Sequence, residues 1–133
     1  MAVKPIPEGY HSVTPYLIID GVERLIEFLK RAFDAKEILR TTGGAGGIHA
    51  EVRIGDSMVM LGEAGDRPPT TGQLFMYVDD ADALYQRAIQ AGGTSLMEPC
   101  ERPWGEGEEM LRAAGVKDPN GNSWFLAGPK QPD

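Results

Sequence analysis

Leu17-Ile18-Ile19-Asp20 and Met76-Tyr77-Val78-Asp79 state one pattern twice: a short apolar run closed by an aspartate. After the first, Val22, Leu25, Ile26, Leu29, Ala32 and Phe33 recur at helical spacing, one apolar stripe on a charged helix. After the second, Ala81, Leu84, Ala88 and Ala91 do the same, and Gly92-Gly93 marks the helix end. Each half then closes on a turn and an apolar strand: Gly55-Asp56-Ser57-Met58-Val59-Met60-Leu61 first, Gly121-Asn122-Ser123-Trp124-Phe125-Leu126 second. Asp20 with Glu23, and Asp79 with Asp82, have the spacing of helix N-caps supported from the first turn.

The remaining strands fall between these markers. Val13 to Ile19 is the first, with Pro15 suiting an edge or a strand start. Glu37 to Thr42 follows, then a Gly43–Gly47 turn that cannot pack. Ile48 to Ile54 alternates cleanly, with Ile48, Ala50, Val52 and Ile54 on one side and His49, Glu51 and Arg53 on the other. In the second half, strands are expected at Leu74–Val78, Thr94–Met97, Glu109–Val116 and Ser123–Ala127, with Asp118-Pro119-Asn120-Gly121 as the last tight turn. Asp20 to Gly55 spans 35 residues and Asp79 to Gly121 spans 42, the surplus falling in the Glu101–Glu109 loop. The reading is an α+β fold of two tandem β-α-β-β-β modules, residues 10–63 and 72–128. They are joined by a proline-containing linker, 64–71, within one domain spanning 1–133. Such a pair builds a cleft between its halves, and function is to be sought there.

Composition narrows the partners. The chain has 133 residues, 41% hydrophobic and 25% charged, the balance of a globular protein rather than a disordered one. Its net charge, 13 minus 20, is −7, and its cations are scattered among acids, which argues against a nucleic-acid partner. Cys100 is the only cysteine, so neither an internal disulfide nor a cysteine zinc site can form; a semi-buried thiol in a reducing compartment is expected. No apolar run is long enough to cross a membrane, and Met1–Pro7 has no signal-peptide core, so a cytoplasmic protein is expected.

The order of Thr14-Pro15-Tyr16-Leu17-Ile18-Ile19-Asp20, His49-Ala50-Glu51-Val52-Arg53-Ile54-Gly55-Asp56-Ser57 and Asp118-Pro119-Asn120-Gly121-Asn122 resembles the vicinal-oxygen-chelate superfamily. This is the group of glyoxalases, ring-cleaving dioxygenases and bleomycin-resistance proteins, and the chain looks closest to the PhnB-like branch. The resemblance covers residues 10 to 128. It implies sheets that curl around a cleft, a homodimer, and in the metal-dependent members a divalent cation acting as a Lewis acid. Carried onto this chain, the metal-ligand positions fall at Val13, Met60, Gly72 and Phe125, none of which suits such a cation. The branch's aromatic-Gly-Asp-Arg element is represented by Trp104-Gly105-Glu106-Gly107, which keeps the aromatic and glycine but has no arginine.

The candidate ligand-binding residues are His49, Glu51, Arg53, Met58, Met60, Met76, Trp104 and Phe125; no catalytic residue is assigned, and no metal or other cofactor is expected. His49, Glu51 and Arg53 are either a polar anchor, with Glu51 orienting His49 and Arg53 holding a carboxylate, or a solvated strand face. Met58, Met60, Leu74, Met76 and Phe125 are read as one face, either core or an adaptable wall for flat apolar ligands. Trp104 either stacks on a planar ligand or packs over the sheet, while Trp124 faces a helix. The expected function is metal-independent binding and sequestration of a drug-like or planar small molecule. The alternative is a lyase, isomerase or dioxygenase with a non-standard or absent metal, using His49 as a base.

Overall fold

A computed structural model describes residues 5–43 and 46–130. The first module contains β1 (Tyr16–Ile19), α1 (Val22–Phe33), β2 (Lys36–Thr42), β3 (Ile48–Ile54) and β4 (Ser57–Glu63). The second contains β5 (Gln73–Tyr77), α2 (Ala81–Gln90), β6 (Thr94–Arg102), β7 (Leu111–Lys117) and β8 (Ser123–Gly128), with a 3₁₀ turn at Glu106–Glu108. The two sheets have matching orders, β1-β4-β3-β2 and β5-β8-β7-β6. In each, the first strand runs parallel to the last and the other pairs are antiparallel. The fold is α+β, two mixed four-stranded sheets with one helix each.

The helices and one face of each sheet make the core. Val22, Leu25, Ile26, Leu29 and Ala32 of α1 lie against Ala50, Val52, Val59 and Leu61. From the second module come Ala81, Ala88, Ala114, Val116, Trp124 and Leu126. Burying a leucine such as Leu29 completely is worth about 1.5–3 kcal/mol. The modules share this core: Phe33, at the end of α1, stacks tilted on Trp124 of β8 at 5.2 Å between centroids. Arg87 of α2 donates to the Arg31 carbonyl near the end of α1 at 3.2 Å, closing one of the carbonyls a helix end leaves open.

Several boundaries differ from the sequence reading, each for a local reason. The first strand begins at Tyr16 rather than Val13; Pro15 has no N–H, and its carbonyl only accepts from Met60 N at 2.9 Å. Asp20 does not cap α1. Gly21, at φ +87°, takes the cap position, and the Glu63 carboxylate reaches over from the end of β4. It accepts from Gly21 N at 3.2 Å and Val22 N at 2.8 Å. Glu23 instead pairs with Arg40 of β2 at 3.1 Å. On α2 the cap is Asp80, not Asp79; its side chain accepts from Ala83 N at 3.1 Å. Strand β6 runs five residues beyond Met97, to Arg102, by absorbing register shifts between Ser95 and Cys100. Residues 44 and 45 of the glycine-rich turn lie outside the described residues.

The two closing turns are built differently. Gly55-Asp56 is an exposed two-residue hairpin. Asp118, only 4% exposed, instead organises the second turn from inside. Its Oδ1 accepts from Asn120 N at 2.8 Å and Asn122 N at 3.0 Å, and its Oδ2 accepts from Asn122 Nδ2 at 3.0 Å and Trp124 Nε1 at 2.9 Å. Asn122 Oδ1 takes the Gly72 N–H at 2.8 Å, and Asn120 Nδ2 donates to the Asp20 carbonyl at 2.5 Å. One turn thus ties the last strand to the linker and to the first module.

Candidate functional site

Because the helices cover one face of each sheet, the other face is open, and strand parity decides what it carries. In the first module Ala50, Val52 and Ile54 are buried toward α1, so His49, Glu51 and Arg53 stand on the open face as the alternation predicts. Opposite Glu51 and Arg53 in β4 are Met60 and Met58, which share that face. Tyr16 of β1 is aligned with Met60 and joins them.

These residues are wired together. Glu51 Oε2 and His49 Nε2 are 2.9 Å apart, and Glu51 Oε1 accepts from the hydroxyl of Tyr10, on the segment before β1. The other imidazole nitrogen, His49 Nδ1, is 3.0 Å from the Tyr16 hydroxyl. Tyr16 can lean across β4 because residue 62 is glycine; a Cβ there would lie 2.9 Å from the Tyr16 hydroxyl. Arg53 makes no ion pair among the described residues. Neither tyrosine was among the residues singled out from sequence. The parity of Tyr16 with Leu17 and Ile19 in the core was the available signal.

The second module's open face has a different chemistry. Phe75 of β5 is aligned with Phe125 of β8, and Gly115 of β7 faces Phe125. Trp104 reaches over from the loop after β6, its ring centroid 5.7 Å from Phe75 and 6.4 Å from Phe125. Tyr77 adds a fourth ring, 5.1 Å from Phe75. Phe75 is 46% exposed and Tyr77 78%, so this aromatic surface is open to solvent among the described residues. Met76 and Leu74 do not share the face of Phe125. Leu74 is aligned with Trp124 and Met76 with Leu126, and both pack toward the core. The expected single face is therefore split, with Phe75 and Tyr77 taking the open side. Trp124 packs against α1 through Phe33, as expected.

Between the modules, where the free edge of β5 faces the first residues of β4, lies a cleft of about 650 Å³. Pro15, Ile54 and Met58 line it from one side and Leu74, Phe75 and Met76 from the other. Met76 is only partly buried, so it borders the cleft while packing on the core. His49, Glu51, Arg53, Met60, Trp104 and Phe125 lie outside it. The eight candidates thus divide among a polar face, an aromatic face and the cleft between.

The glyoxalase/bleomycin resistance protein/dioxygenase superfamily model matches residues 10–126, nearly the whole of both modules. The chain belongs to that superfamily. An uncharacterized protein of Mycobacterium bovis is 34% identical over 131 residues, covering 89% of this chain and 83% of its own length. TioX from Micromonospora sp. ML1 shares the fold at a TM-score of 0.70 and 24% identity, over 92% of this chain and 99% of that one. A superfamily member from Sphaerobacter thermophilus does so at 0.69 and 21%, over 89% and 98%.

The four positions that the resemblance assigns to metal ligands carry other chemistry here. Val13 is 84% exposed, Met60 sits between Tyr16 and Glu51 on neighbouring strands, and Phe125 is part of the aromatic face. Gly72 has no side chain, and a Cβ there would already be 3.1 Å from Leu17 Cδ2. None offers an imidazole, carboxylate or thiolate. Among the described residues, no three His, Cys, Asp or Glu side chains converge as such a centre would need. Those four positions, where the resemblance places the ligands, therefore do not fit a divalent cation. No described helix is long and apolar enough to cross a membrane.

Proposed function

We propose that this protein binds a planar small molecule against the aromatic surface of its second module and the adjoining cleft, and sequesters it without metal-assisted chemistry. The observation that carries this reading is the trio Phe75, Trp104 and Phe125, with Trp104 within stacking range of both phenylalanines on a sheet face that no described helix covers. Aromatic groups gain from stacking beyond the area they bury, which suits a flat ligand. Phe75 also lines the cleft, whose volume of about 650 Å³ lies in the range of small-molecule sites. The net charge of −7 favours encounter with cationic compounds. A homodimer in the reducing cytoplasm is part of the same reading, with the exposed Ile38 and Leu39 of edge strand β2 as apolar surface for a second copy. Sedimentation should then give twice the chain mass of 14.4 kDa.

Tryptophan fluorescence tests the site directly, since Trp104 lies on the aromatic surface and the buried Trp124 borders the cleft. Saturable quenching by one class of planar compounds is expected. By equilibrium dialysis, Trp104→Phe should keep some affinity, and Phe125→Ala should weaken binding about tenfold, near 1.4 kcal/mol. A flat response across planar antibiotics and metabolites would refute the binding reading. Stoichiometric divalent metal in the purified protein, with turnover lost on chelation, would refute the metal-independent part. The contact between Glu51 and His49 favours a second reading, a lyase or isomerase with His49 as general base. In that case His49→Ala abolishes turnover and leaves ligand affinity largely intact.

A further inference from the structure

The polar face of the first module has a use that the aromatic surface does not supply. Four side chains form one hydrogen-bonded line: Tyr10, Glu51, His49 and Tyr16. Glu51 and His49 are half-buried in the middle of it, whereas Tyr16 is exposed and is the member that a ligand meets first. An ionised carboxylate only accepts, so Glu51 fixes the tautomer: His49 Nε2–H donates to Glu51, and Nδ1 is left with a lone pair. The Tyr16 O–H donates to that lone pair, which leaves the Tyr16 oxygen free to accept from a visitor.

We propose that Tyr16, His49 and Glu51 form a proton relay that captures small hydroxyl-bearing aromatic molecules as their anions, with Tyr16 meeting the ligand. The ligand's O–H gives its proton to the Tyr16 oxygen while Tyr16 gives its own to His49 Nδ1. The ligand becomes an oxyanion, His49 an imidazolium held by Glu51, and Tyr16 stays neutral and donates to the new anion. One proton has moved from ligand to imidazole, and no other bond changes.

The surroundings select this ligand class. Beside the relay, the half-buried Met60 offers a polarisable apolar contact suited to an aromatic ring, with the buried Met58 next along the same face. Arg53 follows His49 by four residues on the same face, about 13 Å along the strand, so its long side chain adds positive charge at the far end of a bound ring rather than at the oxyanion itself. The other charged groups on the face are Glu51 itself and Lys36, opposite Arg53, whose ammonium is already 3.4 Å from Asp34. Tyr16, His49 and Glu51 thus move a proton, and Arg53 and Met60 hold what is left.

4-Nitrophenol is a suitable probe because its anion absorbs visible light and its neutral form does not. At a pH about one unit below its value in water, the full chain should produce a saturable anion band, equivalent to lowering the probe's pKa by about a unit or more. His49→Gln, which keeps a hydrogen-bonding amide but cannot take the proton, should abolish the band while thermal melting shows a folded protein. Tyr16→Phe should do the same. Gly62→Ala retains every functional group but displaces the Tyr16 hydroxyl, and should reduce the band severalfold. Probe bound without the band, measured by equilibrium dialysis, overturns the relay, as does a band that survives His49→Gln. Absence of probe binding overturns the ligand class. None of these outcomes bears on Trp104 quenching, so the two sites stand or fall separately.

Discussion

The two modules share strand order and helix placement, yet differ in how side chains finish their closing turns, their helix caps and their open faces. The first closes on an exposed Gly55-Asp56 hairpin, and α1 is capped from a distance by Glu63. The second closes on the buried Asp118 network, and α2 is capped by its own Asp80. One open face carries a tyrosine–histidine–glutamate line beside Met60, the other an aromatic surface. Repetition therefore specifies where the strands run, while polar satisfaction and surface chemistry are settled in each copy separately. A duplicated fold can in this way hold two unlike sites on equivalent faces.

The largest expected difference lies between the two turn aspartates. Asp118→Ala removes the acceptor for two backbone N–H groups, the Asn122 amide and the Trp124 indole, all but the part-buried Asn120 N–H in a buried setting. Leaving such donors unpaired should cost about 3–4 kcal/mol. Asp56→Ala, at the equivalent exposed turn, should stay within about 0.5 kcal/mol. Urea denaturation at neutral pH checks both, provided the slope is unchanged. Equal losses at the two positions would show that the turns are equivalent after all.

Next in size are the caps. Glu63→Ala frees the Gly21 and Val22 N–H groups at once and takes a negative charge from the N-terminus of α1, so about 1–2 kcal/mol should be lost. Asp80→Ala removes one cap bond of the ordinary kind and should cost about 1 kcal/mol. A Glu63 variant milder than the Asp80 variant would make the long-range cap an ornament of α1 rather than its anchor.

Strong local patterns made most of the backbone readable. The alternation of Ile48 to Ile54 gave β3 to the residue, and the α1 stripe gave its buried face. What stayed hidden depended on distant partners. Nothing around Asp20 shows that Gly21 will adopt a left-handed conformation and hand the cap to a residue 42 positions away. Met76 was placed with Phe125 because parity within a strand says nothing about which residue faces it; the parallel register, Met76 against Leu126, decides that. His49, Glu51 and Arg53 were found on the open face because their own strand alternates. Tyr10 was missed because it joins the site from a segment with no periodicity, and Phe75 and Tyr77 because the parity of β5 had been assigned the wrong way round.

The smallest effect tests a device both modules do share. In each, an acid in the first turn of the helix pairs with a strand arginine: Glu23 with Arg40 at 3.1 Å, and Asp82 with Arg112 at 2.8 Å. Arg40 divides itself between Glu23 and Glu37, and the Glu23 side chain is 68% exposed, so Glu23→Gln should leave stability unchanged. Arg112 instead grips both oxygens of Asp82, at 2.8 and 2.9 Å. Its hydrogen bond, reinforced by its charge, outweighs desolvation and holds the Asp82 carboxyl below the usual range. Folding thus favours the ionised carboxylate. The stabilisation is complete above the ordinary aspartate pKa and disappears as pH falls through the lowered folded value. Solvent access keeps it small, about 1 kcal/mol or less at neutral pH. Asp82→Asn should therefore lower the urea midpoint slightly at pH 7, and the gap from the parent protein should close in acid. A gap that persists or widens at low pH would mean that Asp82 acts through the shape of its contacts with Arg112 rather than through its charge.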